Sequence, residues 1–365
     1  MEFFMDDEVF ALTGLPPEAV ESIQTNNKTP DADVYMRTLL NVLRRVPEAA
    51  RRMESNGIPD AIIRATFADI GLWAGRCKRQ QGFWGLTESS VGWLENHLEC
   101  KIFRVGRFQC MPRYMSNYAN IRLYRHNKTG RVLALPAGDV FFREDGQING
   151  TSGVNAGPNG FQGFFREREV AGRYIAEGTI VSPAGHGENR TISLYMDEWT
   201  EVLKEGMPVF ELHIPVDGDF RMETCQKTLT DMVSFARNHT KGISRLTNVE
   251  GPYTAFVLCS WLLNAQLDGI LPRTSNLVRH LRQYYLVPVL CPEENELFWI
   301  FDGRKVDIDN LQPEDMQTSL QRGIINFMRD GGKVRYNLGI VMFDDVVEFG
   351  NEFYRKRYGM SPADK

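Results

Sequence analysis

A histidine and a cysteine stand near the ends of two apolar segments in the second half of the chain. His213 lies in VFELHIP, residues 209–215, and Cys259 in TAFVLCSW, residues 254–261. An imidazole within reach of a thiol can take its proton, and the thiolate is the reactive nucleophile. Glu211 precedes His213 by two residues, and either side chain could serve as a general base. Each residue also has a plainer reading. A buried cysteine commonly acts as a small hydrophobe, and a histidine at a strand end can be a satisfied polar group.

The local pattern says what would position them. Val209 to Ile214 alternates as a strand, with Val209, Glu211 and His213 on one face and Phe210, Leu212 and Ile214 on the other. Pro215 ends it, because proline has no N–H for the ladder. A turn, Val216-Asp217-Gly218-Asp219-Phe220, leads into a helix over Met222 to Asn238. Met222, Cys225, Leu229, Met232, Val233 and Ala236 give that helix one apolar face. Thr254 to Trp261, apolar on both faces, reads as a buried strand. A crossover of about 50 residues favours parallel neighbours, which bring both strand ends to one carboxyl edge. The free N–H groups at the helix start could take a pyrophosphate.

Upstream, the chain begins helical. Asp31 and Asp33 offer caps before Val34, Leu39, Leu40, Val42, Leu43 and Val46. Pro59 suits the first turn of a helix carrying Ile62, Ile63, Phe67, Ile70 and Trp73. Glu88 to Leu98 fits a further short helix. The pattern changes at Lys101, with strands expected over 102–109 and 121–135 and a turn at Asn127–Gly130.

Two stretches stand apart. From Lys101 to Arg131 there are eight Lys and Arg residues and no Asp or Glu. They make either a solvated strand face or a site for phosphates and anionic substrates. Tyr114, Tyr118 and Tyr124 interleave with them, which is the pattern of a nucleic-acid surface. Residues 146–163 hold six glycines without a P-loop ending and read as a flexible loop or lid.

Composition narrows the classes. The chain has 365 residues, 42% hydrophobic and 24% charged, with net charge −5. That fits a globular protein with a core and argues against a nucleic-acid binder. No apolar run approaches the ~18 residues of a membrane span. The acidic N-terminus is unlike a signal peptide, so a cytoplasmic protein is expected. The six cysteines form no CxxC pair and no metal-binding spacing appears. Free thiols and no metal are expected.

Several of these segments resemble a bacterial family of predicted acyltransferases with an N-acyltransferase N-terminal domain and a GNAT-like C-terminal domain. VFELHIP resembles its LHIP strand. Cys259-Ser260-Trp261-Leu262-Leu263 resembles its C-x-S-W-L-L-D segment. Leu271 to Asn276 resembles L-P-x-x-S-N, and Thr318 to Arg322 with Gly331-Gly332 resembles T-x-L-x-R…G-G. Arg104 to Gln109 resembles R-L-G-R-L-Q. The matches run in the family's order over roughly residues 60 to 340. The chain departs in three places. Cys259 adjoins Ser260 directly, Asn264 stands where an Asp is usual, and the Q/R-x-x-G-x-G/A loop is replaced by Val216 to Phe220.

The resemblance implies an α/β (α+β) protein. A mostly helical N-terminal region would precede a GNAT-like mixed sheet with splayed parallel central strands. The domains expected are residues 1–155, the acyltransferase N-terminal domain, and 156–365, the GNAT-like domain. The implied reaction moves an acyl group from acyl-coenzyme A, a co-substrate and not a resident cofactor, to a small acceptor, expected to be an amine. Cys259, His213 and Glu211 are the catalytic candidates. Val216, Asp217, Gly218, Asp219, Phe220, Ser275 and Asn276 would hold coenzyme A. Arg104, Arg107 and Trp261 would meet substrate. Two routes stay open, a Cys259 thioester with His213 as its base, and direct attack by the acceptor with His213 or Glu211 as base. A non-catalytic acyl-coenzyme A sensor and a Cys-dependent thioester hydrolase are the alternatives.

Overall fold

The computed structural model describes residues 7–26, 34–116, 120–215, 217, 220–291, 297–301 and 306–360. The expected caps Asp31 and Asp33, and Tyr118, lie outside them. The chain opens with helices α1 (Asp7–Thr13), α2 (Pro17–Asn26), α3 (Val34–Leu43), α4 (Val46–Ser55), α5 (Asp60–Phe67), α6 (Asp69–Gln81) and α7 (Glu88–Leu98). Strands β1 (Phe103–Val105), β2 (Phe108–Tyr114), β3 (Ile121–His126), β4 (Val132–Pro136) and β5 (Val140–Phe142) follow. Next come β6 (Phe161–Gly163), β7 (Phe165–Val170), β8 (Arg173–Ser182), β9 (His186–Tyr195), β10 (Trp199–Leu203) and β11 (Pro208–His213). Beyond them lie α8 (Met222–Thr247), β12 (Ala255–Ser260), α9 (Leu267–Ile270), α10 (Asn276–Leu281) and β13 (Tyr285–Pro288). The chain ends with α11 (Leu297–Ile300), α12 (Ser319–Arg329), β14 (Asn337–Met342) and α13 (Phe353–Tyr358). This is a mixed α/β protein with a helical N-terminal region. No described helix is long and apolar enough to cross a membrane.

The chain divides into two compact units, each built from separate stretches. The first takes Met1–Arg113, Phe210–Asp219 and Lys227–Tyr253. The second takes Tyr114–Val209, Phe220–Gln226 and Thr254–Lys365. Both β11 and α8 pass from one unit into the other along their length.

In the first unit, the apolar stripe of α3 buries Met36, Leu39, Leu40 and Leu43 as its 3.6-residue spacing requires. Helix α7 starts where its sequence says. Thr87 takes the N-cap, and its hydroxyl accepts from the Ser90 N–H at 3.3 Å. The hairpin of β1 and β2 pairs Phe103 with Cys110 and Val105 with Phe108, and β11 follows β2 in strand order. Gly106 makes the turn between β1 and β2 at φ 56. A Cβ there would lie 2.6 Å from the Thr228 hydroxyl of α8, so both the backbone and the close approach call for glycine. Helix α8 runs past its expected end at Asn238. His239 breaks its geometry at φ −120 and ψ 16, and the helix resumes to Thr247.

In the second unit, one sheet orders β10-β3-β4-β8-β7 with β9 on β8. A second group pairs β12 with β14 and β13 with β14, both antiparallel. Leu123, Ala134, Val257, Val287, Leu338 and Ile340 belong to one buried core there. Val209 at the start of β11 joins that core, and the Thr254 N–H donates to the Pro208 carbonyl at 3.3 Å. In α12, Thr318 and Gln321 form a reciprocal capping box.

The glycine-rich stretch is not the loose loop its composition suggests. Part of it is strand β6, which pairs with β5 in the register Val140 to Gly163. Gly163 lets the Phe142 ring approach, since a Cβ would meet that ring at 2.5 Å. Thr151 and Ser152 are buried and donate to the carbonyls of Val289 and Val334 at 3.2 and 2.9 Å.

Candidate active site

The cationic stretch resolves into contacts inside each unit. Arg104 pairs with Asp217 at 2.6 Å, and Arg113 with Glu211 at 2.8 Å. In the second unit, Arg122 pairs with Glu201 at 2.9 Å, and Arg125 grips Asp345 through two bonds of 2.9 and 2.7 Å. These contacts favour bracing over a continuous phosphate-binding face.

Arg107 is buried, and its guanidinium donates to the Pro215 carbonyl at 2.8 Å. Its backbone N–H donates to the Thr228 hydroxyl at 3.0 Å. With Arg104 on Asp217, two cations of the β1–β2 hairpin hold the segment that follows β11. The carboxylate of Asp217 is thereby neutralised. Val216, Gly218 and Asp219 lie outside the described residues.

Strand β11 alternates as its sequence predicts. Phe210 and Leu212 are buried, while Glu211 and His213 are half-buried. On α7, Trp93 and His97 are four residues apart and so share a face. The Trp93 ring meets His213 edge-on at 4.8 Å and His97 at 5.9 Å. His97 is fully buried, with Nε2 3.2 Å from an Asp69 carboxylate oxygen and 3.2 Å from the Gln109 side-chain amide. The same Asp69 oxygen accepts from the Trp73 indole N–H at 3.0 Å. A chain of polar groups thus runs from α6 through α7 and β2 to a position beside β11.

The electrostatics follow from burial. Desolvation, reinforced by the nearby charges of Arg113 and His97, pushes the His213 imidazole down to about 4. Its Nε2 is buried without a hydrogen-bond partner. Burial raises the Glu211 carboxyl, and the Arg113 guanidinium opposes that. Burial alone would also raise Asp69, but the hydrogen bond and charge of His97, with Gln109, hold it below the usual carboxylate range. At neutral pH this imidazole is uncharged, and the same burial that keeps it so makes it a weaker base than a free histidine.

The remaining candidates belong to the second unit. Cys259 is half-buried near the end of β12, opposite Leu338 of β14. Trp261 begins a short 3-10 turn capped by the Ser260 hydroxyl. Phe220 packs edge-on against His280 at 4.9 Å. Ser275 occupies the N-cap of α10 without a side-chain cap bond, and Asn276 is the first residue of that helix. Asn264 is buried and exchanges hydrogen bonds with Gln266. Among the described residues, no group of three His, Cys, Asp or Glu is placed to hold a metal ion.

Residues 7–100 match the N-acyltransferase N-terminal domain, and residues 102–341 match the GNAT-like C-terminal domain. The chain belongs to the GNAT-like acyltransferase family built from these two domains. No curated protein matches this GNAT-like acyltransferase. Solved structures share its fold at low identity. One is an acyltransferase in complex with decanoyl-CoA and teicoplanin, 16% identical, with TM-score 0.54. The match covers 92% of this chain and 87% of that one. A second is an acyltransferase variant in complex with octanoyl-CoA, also 16% identical over the same shares, with TM-score 0.55.

No motif in the sequence marks Asp69, Trp93 and His97 as site residues. The signal they carry is a pair of i, i+4 spacings, Asp69 with Trp73 and Trp93 with His97, on two helices that look merely amphipathic. Gln109 closes the Arg104–Gln109 motif, but nothing local says that it faces a histidine.

Proposed function

We propose that this family member transfers an acyl group from acyl-coenzyme A to a small amine, with His213 as the base. The observation that carries the reading is the buried, unpartnered Nε2 of His213 on a strand of the GNAT-like domain. The solved acyltransferases of the same fold, held with acyl-CoA ligands, support the choice of donor. In the direct route the amine nitrogen attacks the thioester carbonyl. The C–N bond forms, His213 takes the amine proton, and the C–S bond breaks. The proton then passes to the departing thiolate. Glu211, held by Arg113, is the second candidate base. The hairpin cations Arg104 and Arg107 are positioning residues in this scheme, since they fix the segment after β11. Phe220, Ser275, Asn276 and Trp261 remain candidates for contact with the donor.

The test separates this route from one through a Cys259 thioester. Intact-mass analysis after incubation with donor alone should show no acyl adduct, and Cys259→Ala should keep most of its turnover. His213→Gln should lose activity by about 100-fold or more, the usual contribution of a general base. An acyl mass mapping to the Cys259 peptide, with no turnover in Cys259→Ala, would move the chemistry to the thiol. Thiol release without acceptor would make the protein a hydrolase, and donor binding without thiol release a sensor.

A further inference from the structure

The second unit contains a cavity of about 400 Å³. The segments after β12, before β14 and along α13 contribute its arginines, Arg273, Arg282, Arg335 and Arg355. Asp145 and Asp268 are the acidic side chains on its wall. Each of these carboxylates is shared between two guanidiniums. Asp268 takes Arg282 at 2.8 Å and Arg355 at 2.6 Å, and Asp145 takes Arg335 and Arg143, both at 3.0 Å. Glu352 adds a third carboxylate, 3.0 Å from Arg282. Among the described residues, five guanidiniums, Arg273 included, therefore stand against three carboxylates, and positive charge is left over around the cavity.

Arg273 is exposed, and the paired arginines Arg282 and Arg355 are buried. The side chains of Arg282 and Arg355 are 4% and 5% exposed, and that of Arg335 is 16% exposed. The Nε of Arg355 is buried without a hydrogen-bond partner. Arg355 keeps Asp268 as its ion-pair partner, so its Nε is the polar atom of this wall left over for a ligand to satisfy. Burial holds the Arg335 and Arg355 guanidiniums below their ordinary value despite their carboxylates. The walls are otherwise tied in place. Asn337 accepts from the Ala265 N–H at 2.9 Å and donates to the Val287 carbonyl at 3.1 Å.

We propose that this cavity is a binding site for the oxyanion, carboxylate or phosphate, of a small acid ligand. Planar guanidinium forks are the groups that recognise such oxyanions through paired, charge-assisted hydrogen bonds. The site is independent of the acyl-transfer reading, because binding is measured with no donor present.

The experiment titrates the full chain with sodium phosphate and with sodium malonate, against sodium chloride of equal ionic strength, following the melting temperature and the heat of binding. At least one oxyanion should raise the melting temperature with saturation, and Arg335→Gln should weaken its binding by about ten-fold or more. Asp145 keeps Arg143 in that variant, so the fold should persist, and circular dichroism checks it. Arg273→Gln is the second variant and tests the same wall without touching an ion pair described above. A response to phosphate alone, with coenzyme A binding more tightly than 3′-dephospho-coenzyme A in wild type but not in Arg335→Gln, assigns a donor phosphate to the cavity. A response to malonate alone assigns a carboxylate ligand. No saturable response to either oxyanion, or binding in both variants as tight as in wild type, overturns the proposal.

Discussion

Replacing His213 by glutamine removes an imidazole whose protonation the folded chain opposes. In the unfolded chain this group titrates near 6.5, and in the fold it is held down to about 4. At about 1.4 kcal/mol per pH unit, the difference is worth about 3 kcal/mol between the two limits. The sign follows from proton counts. Between pH 6.5 and 4 the unfolded chain binds a proton that the native chain does not, so stability falls as pH falls through that window. The contribution is fully present above pH 6.5. About 2 kcal/mol of it is gone at pH 5, and about 3 kcal/mol at pH 4. Asp69 and His186 also titrate with perturbed values. Both are present in wild type and variant, and so cancel in the difference. Urea unfolding followed by tryptophan fluorescence at pH 7 and pH 5 reads the effect. Wild type should lose about 2 kcal/mol more than His213→Gln over that interval. Equal losses in the two proteins would refute the burial argument.

Two further outcomes follow from the hairpin that holds the segment after β11. Gly106→Ala should destabilise the fold by roughly 1–2 kcal/mol from the left-handed backbone alone, plus the clash with Thr228 at 2.6 Å. Adding Thr228→Ala should recover only the clash, and a urea midpoint unchanged by Gly106→Ala contradicts both. Arg107→Ala should cost about 1–3 kcal/mol, because the buried Pro215 carbonyl loses its donor. A melting temperature equal to wild type would show that water replaces the guanidinium without cost.

Much of the fold is legible where one local rule decides. Glu88–Leu98 fits a short helix in sequence, and the structure adds its Thr87 cap; Val209–Ile214 reads as a strand because alternation and a terminating proline agree. The second half of α8 is not legible in the same way. His239 interrupts the geometry next to the expected end at Asn238, and the helix runs nine residues further, to Thr247. The glycine-rich stretch misleads for a different reason. Glycine in a loop and glycine at a close approach look the same in sequence, and only the Phe142 ring beside Gly163 separates them.

The site divides along the same line. His213 and Glu211 are readable from alternation on one strand. The groups that set their chemistry come from elsewhere, Arg113 from β2 and Trp93 and His97 from α7. A histidine's ordinary value makes it a base near neutrality. The depression of His213 requires burial beside two further basic groups, which strand periodicity cannot encode. The cationic stretch makes the same point with opposite sign. Counted along the chain, Arg104, Arg107 and Arg113 look like an unopposed positive run. Their partners, Asp217, the Pro215 carbonyl and Glu211, return from more than 90 residues away. Local charge counting therefore overstates an anion site at the hairpin. It passes over the cavity, whose arginines at 273, 282, 335 and 355 are too scattered to register as a cluster.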